Sequence, residues 1–451
     1  LTRNLLILTL GLCVLTKSQA ATTNSLVWQT ANDRVSADIR GEALWPLLAD
    51  IAHQTGWHIF IEPGVDRQAD VKFKNLSTGD ALKKLLGDLN FAFVPQTNGP
   101  DFLYVFTTTM QAATKPVTVL KAKGKHKSNE LMVRVKPGTD IDALAKKLGA
   151  KIVGRNDKLH MYLLDFTDQA STDSALTQLQ NDSDVEAVDY NYIMDPPVAP
   201  QAVSTAPLPP VSLTATAPNS DDPCEPVVGL IDTPVQSLGS QLNQFLLPAV
   251  SVTGDTVQSS TTPTHGTGMA QTILRAVSQS SGSSSSIRIL PVDVYGNSET
   301  TTSWNVALGV QAAIDGGATV INMSLGGTTD SAILDSVIQQ GVSQGIVFFA
   351  SAGNTPVNTP TYPAATSGVN AVTALGAPGQ LASYANYGSF VEMALPGASV
   401  VYLGNQAYIV QGTSPASAYA SGIAAGTKTV NCAGWPQIIS SMAQKFPVPT
   451  Q

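Results

Sequence analysis

Residues 227–234 read VVGLIDTP, a run that is apolar on both faces of an extended chain and ends on a carboxylate, Asp232. A strand of this kind suits the interior of a parallel sheet, where helices cover both faces. The stretches beyond it keep alternating. Residues 265–277 are helical in spacing, Ile287–Val294 strand-like, 304–315 helical, Thr319–Met323 strand-like, 331–343 helical and Ile346–Ala350 strand-like. Alternating β and α segments predict a doubly wound α/β domain with right-handed crossovers, which gathers its ligands at the carboxyl ends of the strands. This domain takes residues 225–451.

Upstream, the composition shifts. Residues 195–224 form a linker whose stretch from 196 to 220 holds seven prolines (196, 197, 200, 207, 209, 210 and 218) and almost no charge, which reads as extended, exposed chain open to proteolysis. Residues 129–194 hold a compact pattern. It comprises a strand at Leu131–Val135, a helix at Ile141–Leu148, strands at Ile152–Val153 and Met161–Leu164, a helix at Ala175–Leu179 and a last strand at Val185–Tyr190. That βαββαβ order is ferredoxin-like. Lys-rich residues 117–128 are read as a linker. Residues 26–107 form another small α+β domain, with helices over 42–54 and from Ser77 and strands at Trp57–Ile61, Phe91–Val94 and Leu103–Phe106. Two small α+β domains thus precede the doubly wound one.

The first twenty residues carry Arg3, the apolar run LLILTLGLCVL at 5–15 and Ser18-Gln19-Ala20, the pattern of a secretory signal cut after Ala20. No later segment has the ~18 unbroken apolar residues of a membrane span, so export would leave a soluble secreted or periplasmic protein. Beyond the signal the cysteines are Cys224 and Cys432, an even count for an oxidising compartment, and too few for a Cys-rich zinc site. Cys224 precedes the amino end of the 227–231 strand. A helix that starts at Ser414 on the carboxyl edge returns to the amino edge near 428, so the two cysteines are expected to form a disulfide. In the whole chain of 451 residues, 25 Lys and Arg stand against 33 Asp and Glu. Nucleic-acid binding is excluded, because no basic face exists to displace counterions.

Only one of the five histidines, His265, falls in the large domain. Two-histidine metal chemistry is therefore out, but a lone imidazole serves as general base if a nucleophile and a carboxylate meet it. Asp232 ends a strand, His265 opens a helix in THGTGMAQTIL, and Ser414 lies in VQGTSPASAYASGIAAG, a Gly-Thr-Ser turn running into a small-residue helix. All three belong at one sheet edge, and their order Asp, His, Ser differs from the α/β-hydrolase and chymotrypsin orders. Taken singly, Asp232, Ser414 and Asn354 each have a plain structural role, as a buried strand-end Asp, a helix-capping Ser and a turn Asn, whereas His265, alone of its type in the domain, is the hardest to read that way.

LIDT, HGTGMA, INMSLGG, FASAGN and GTSPASAYASG occur in this order, with 33 residues from Asp232 to His265, 89 to Asn354 and 60 to Ser414. In these motifs residues 225–451 resemble the subtilisin-like proteases (subtilases, peptidase family S8). ELMVRVKPGTDIDALAKKLGAKIVG and DSDVEAVDYNYI resemble the inhibitory propeptide of that family. The resemblance implies a serine endopeptidase made as an autoinhibited precursor. Ser414 would be nucleophile, His265 general base, Asp232 its orienting carboxylate and Asn354 an oxyanion donor beside the Ser414 N–H. Ser324, Leu325 and Gly326 would pair with substrate backbone, Ala352 and Gly353 would wall the primary specificity pocket, and Thr361 would shorten its floor. Pro234, Gly268, Pro415 and Ala418 depart from the family pattern, which leaves open a weak or inactive subtilase-fold binding module. The Ser-rich segment 278–286 stands where many relatives bind calcium but has no carboxylate, so no metal or other cofactor is indicated. DIRGEALWPLLADIAHQTGWHIFIEPGV and VKFKNLSTGDALKKLLGDLNFAFV resemble the short N-terminal domain of secretins and TonB-dependent receptors. That implies an envelope protein partner for residues 26–107 and leaves an adaptor role as a further alternative.

Overall fold

A computed structural model describes residues 25–29, 32–65, 67–95, 101–117, 124–205, 207–217, 225–254, 260–377, 379–432 and 435–449. The signal reading and Cys224, and with it the Cys224–Cys432 pairing, lie outside the described residues. The chain divides into a unit over 1–119 and a unit over 120–451.

The first unit runs β1 (Ser25–Gln29), β2 (Arg34–Ala43), α1 (Leu44–Thr55), β3 (His58–Ile61), β4 (Gln68–Leu76), α2 (Thr78–Leu86), β5 (Asn90–Val94), β6 (Phe102–Phe106) and β7 (Lys115–Pro116). Its two sheets are ordered β1-β2-β4 and β5-β6-β3-β7. The helices form where apolar residues recur every three or four positions, and Leu47, Leu48, Ile51, Leu82 and Leu85 are buried to 1% or less. Ser77 caps α2 by accepting from the Asp80 N–H, while Gly56 ends α1 in the left-handed conformation at φ 73°. The strand at β7 carries this unit into the segment read as a linker from residue 117, since the Val117 N–H donates to the Ile59 carbonyl.

The second unit opens with β8 (His126–Val135), α3 (Ile141–Leu148), β9 (Lys151–Asn156), β10 (Met161–Asp165), α4 (Gln169–Asn181) and β11 (Val185–Met194). The sheet order β11-β8-β10-β9, with every neighbour antiparallel, is the ferredoxin-like arrangement. The chain continues through β12 (Gln201–Val203), β13 (Thr214–Ala215), β14 (Val227–Asp232), β15 (Val250–Ser251), α5 (His265–Ser281), β16 (Ser284–Ser285), β17 (Arg288–Asp293), β18 (Thr301–Thr302), α6 (Ser303–Asp315), β19 (Val320–Met323), α7 (Ala332–Ser343), β20 (Val347–Ser351), β21 (Val369–Ala377), β22 (Gln380–Leu381), β23 (Met393–Pro396), β24 (Ala398–Leu403), β25 (Gln406–Gln411), α8 (Thr413–Val430) and α9 (Trp435–Lys445).

The large sheet is ordered β15-β17-β14-β19-β20-β21-β22, with β23 also on β21, and is parallel except at β22. Side chains on successive strand residues point to opposite faces. Val228, Leu230, Val320 and Phe349 pack with α5 and α8 on one face, while Ile231, Ile321, Phe348 and Ala350 pack with α6 and α7 on the other. Gly229 admits α6 closely, because a Cβ there would meet the Ala313 Cβ at 2.8 Å.

The ferredoxin-like unit docks on the α6 and α7 side, where Met132, Met161, Leu163 and Met194 join that core. Its Asn191 accepts from the Trp304 N–H at 3.1 Å, and its buried Asp189 accepts from the Ile333 N–H and the Ser331 hydroxyl at 2.9 Å each. Both acceptors satisfy N–H groups that a helix start leaves open. The proline-rich stretch departs from the free linker read in the sequence. Backbone groups that proline leaves available pair with the large domain: β12 with β25, β13 with β16, and Leu213 is fully buried.

Candidate active site

Asp232 is the last residue of β14 and is 1% exposed. The Thr233 N–H donates to its Oδ1 at 2.7 Å, which holds the carboxylate at the strand end. His265 is the first residue of α5. Thr264 before it caps the helix, its hydroxyl oxygen accepting from the Thr267 N–H at 3.1 Å. Nδ1 of His265 lies 2.8 Å from Oδ1 and 3.0 Å from Oδ2 of Asp232. A buried carboxylate there keeps the proton on Nδ1 and leaves Nε2 free to take one. The two loops are tied by further bonds: Gly266 N–H donates to the Thr233 hydroxyl at 2.8 Å, and Gln236 N–H to the Thr267 hydroxyl at 2.8 Å. Pro234, one of the departures, presents its carbonyl to the Thr264 hydroxyl at 2.6 Å.

Ser414 is the second residue of α8, after Gly412 at φ 140°. Its hydroxyl makes a long contact of 3.4 Å with the Ser324 carbonyl, while the Ser324 hydroxyl donates to the Ser414 carbonyl at 3.0 Å. Pro415 occupies the third helical position, in the turn whose N–H groups have no partner within the helix. Asn354 Oδ1 accepts from the Thr413 N–H at 2.8 Å and from its hydroxyl at 3.1 Å, bonds that use the carbonyl and not the amide NH2. Asn354 and Ser414 line one cavity of about 200 Å3 with Ser324, Leu325, Gly326, Gly353 and Thr361. Ala352 stands behind that wall: it is fully buried, and its carbonyl takes the Thr361 hydroxyl at 2.7 Å. His265 lines an adjoining cavity of about 280 Å3 with Thr233, Pro234 and Thr264.

The chain's own residues run through both cavities. Asp195 N–H donates to the Gly326 carbonyl at 3.1 Å, and Pro196, Pro197 and Val198 line the Ser414 side. Pro197, Ala199 and Pro200 line the His265 side. Tyr295 donates its hydroxyl to the Asp195 carbonyl at 3.4 Å. Burial, and then the nearby Asp232 charge, push that phenol well above its usual range, so it stays a donor.

Sequence reasoning passed over Asn322 and Gly266. Asn322 Oδ1 accepts from Ser417 at 2.9 Å and Ser421 at 3.1 Å, and its amide donates to Ser324 at 2.9 Å, tying α8 to the segment after β19. A buried Asn inside the apolar strand VINM was the available signal. Gly266 lies so close to Thr233 that a Cβ would sit 2.1 Å from its carbonyl oxygen. Among the described residues, no three His, Cys, Asp or Glu side chains gather as metal ligands.

Residues 225–443 match the subtilase family model, and residues 112–191 match the model of the fervidolysin N-terminal prodomain. Thermitase of Thermoactinomyces vulgaris is 33% identical over 208 residues, covering 44% of this chain and 72% of thermitase. A thermostable alkaline protease of Halalkalibacterium halodurans is 36% identical over 170 residues, which span 37% of this chain and 47% of that protease. The crystal structure of fervidolysin from Fervidobacterium pennivorans superposes with a TM-score of 0.56 at 17% identity, over 73% of this chain and 63% of fervidolysin.

Proposed function

The chain belongs to the subtilase family of serine endopeptidases, and on that footing we propose that it hydrolyses peptide bonds through Ser414, His265 and Asp232 and is made as a precursor held inactive by its own residues 129–194. The reading rests on one observation above all: His265, 2.8 Å from the buried Asp232, lines a cavity that adjoins the one lined by Ser414, and the chain's own Pro197 lines both.

In this mechanism Ser414 Oγ attacks the substrate carbonyl carbon as His265 Nε2 takes its proton, with Asp232 stabilising the imidazolium. The oxyanion is met by the Ser414 N–H and the Asn354 NH2. His265 then protonates the leaving amine, and water opens the acyl-enzyme. Substrate backbone pairs with 324–326 as Asp195 does. The Asp232–His265 geometry and the Asn354 side chain fixed by its carbonyl on Thr413 favour an enzyme over an inactive binding module. Ser414→Ala should leave the precursor as one chain and lower turnover by at least ~10³-fold. Normal processing of that variant in a protease-free host sinks the assignment.

Export through residues 1–20, a Cys224–Cys432 bridge and an envelope partner for residues 26–107 belong to the same proposal. A specific observation favours the docking role: Phe60, Phe102 and Tyr104 stack across β3 and β6 with ring centroids 5.4–6.2 Å apart on the sheet face opposite the buried Ile59, Leu103 and Val105. Non-reducing peptide mapping of exported protein tests the bridge: two alkylatable thiols refute it.

A further inference from the structure

The stretch from 199 to 217 is neither part of the ferredoxin-like unit nor of the large sheet, yet it is bonded along its described length. Gln201–Val203 pair with Ile409–Ala407, and Gln406 donates to the Val203 carbonyl at 2.9 Å. Tyr402 donates to the Leu208 carbonyl at 2.7 Å, and the buried Arg275 to the Pro209 carbonyl at 3.0 Å. Leu213 is fully buried in the core beneath α5, and Thr214–Ala215 pair in parallel with Ser284–Ser285. Two departures from the family pattern meet this stretch. A Cβ on Gly268 would approach Val410 at 2.9 Å and Pro200 at 3.9 Å, so the room for a side chain at 268 is filled. The Ser-rich segment 278–286 supplies the strand partner for Thr214–Ala215.

We propose that the chain cuts itself between Val198 and Ala199, and that residues 199–217 then remain on the catalytic domain as a strap across the leaving-group side of the cleft. The cut rests on the peptidase reading above. Pro197 borders both cavities, Val198 still borders the first and Ala199 only the second, so the chain finally leaves the Ser414 cavity between Val198 and Ala199. Of the five peptide bonds from Asp195 to Pro200, three place proline on the leaving nitrogen, which carries a ring and no N–H. Pro197–Val198 and Val198–Ala199 are left, and only the second joins the last residue on the Ser414 cavity to the first that borders the His265 cavity alone. Ser414 Oγ bonds to the Val198 carbonyl carbon, the bond to the Ala199 nitrogen breaks, and that nitrogen receives the proton carried by His265. Water then releases the Val198 carboxylate and restores Ser414.

The acyl half, ending at Val198, departs with the ferredoxin-like unit. The other half cannot follow, because it is one chain with β14 and is anchored from Gln201 onward. The new amino terminus at Ala199 therefore sits two residues from a paired strand, beside His265. Such a strap leaves the acyl side of the cleft open and crowds the leaving-group side, so the mature enzyme favours substrates with a short leaving segment.

Intact mass and N-terminal sequencing of the processed full-length protein should find Ala199 first, with 199–217 resistant to a second protease. Peptides of constant acyl side with four residues beyond the cut should show kcat/KM lower by about tenfold than those with one. Ala199→Pro, which puts a ring on the leaving nitrogen, should stay a single chain. An amino terminus at 218 or later, another bond within 195–217, or equal rates for long and short leaving segments overturns the proposal. Unprocessed protein that reacts with a fluorophosphonate at Ser414 overturns the self-cut alone. Protein neither processed nor labelled overturns the peptidase reading beneath it.

Discussion

Asn354 is held by its carbonyl and so offers its amide. The Thr413 N–H and hydroxyl both bond Oδ1, which fixes the flip of the side chain, and Asn354 lines the cavity shared with Ser414. A donor placed for the tetrahedral oxyanion helps the transition state more than the ground state, so Asn354→Ala should lower kcat by roughly 10²–10³ with KM little changed. A variant with altered KM and intact kcat contradicts the role. Gly266 is a matter of contact alone. Any Cβ there collides with the Thr233 backbone 2.1 Å away, and Thr233 carries the N–H that holds Asp232. Gly266→Ala should push the His265 helix off the strand end and cut kcat at least ~10²-fold, since a displacement of about 1 Å costs that much. Wild-type turnover in this variant contradicts the geometry. Asp232, His265 and Ser414 stood out in the chain because their residue types and order are distinctive. Gly266 did not, because its role is defined by a backbone 33 residues away.

At the scale of elements, α8 packs on α5 through glycine. A Cβ on Gly422 would meet the Ile273 carbonyl at 2.4 Å and the Ala276 Cβ at 2.6 Å, and one on Gly426 would meet the Ser280 hydroxyl at 2.1 Å. Close approach lets α8 carry Ser414 to the strand edge that α5 gives to His265. Gly422→Val should destabilise the fold by about 1–3 kcal/mol or more through overpacking, read as a lower denaturant midpoint. An unchanged midpoint shows that the helices can separate at no cost. The large helices and central strands were legible because each keeps its own period. The short pairings were not: β12, β13 and β16 hold two or three residues each and have no period. In the first unit the expected helices and strands appear, while the sheet of β1, β2 and β4 was passed over, its strands being half exposed and mixed in polarity.

Across the molecule, the ferredoxin-like unit meets the catalytic domain over buried carboxyls. Asp189 sits beside Asp330 and Asp335, with Tyr192 also facing it, and Arg134 donating to Ser336 and pairing with Glu186 nearby. Burial pushes the Asp189 carboxyl up to about 6, against the opposing bonds from Ile333 and Ser331, and burial with the Asp330 charge raises Asp335. Once released, Asp189 returns to the ordinary carboxylate range near 3.9. A pKa raised in the docked state means docking is strongest below the free value and weakens as pH rises through about 6, by about 3 kcal/mol for a shift of this size. After the cut, the inhibitory unit should therefore leave faster at pH 8 than at pH 5, and Asp189→Asn should flatten that dependence. Release monitored with a fluorogenic peptide checks this, and equal half-times at the two values contradict it.

The sequence by itself determined the doubly wound class, the ferredoxin-like unit before it and the residues of the candidate site, because period, motif order and residue type are local properties that survive in one dimension. Only the tertiary structure decided what the proline-rich stretch does. Its anchors are backbone carbonyls taken by Arg275 and Tyr402, a single buried Leu213, and strand partners up to about two hundred residues away. No residue type marks a carbonyl as an acceptor, and extended chain looks the same in sequence whether it is free or bound. The same limit applies to Asp189, whose chemistry is set by carboxyls from another element that only folding brings against it.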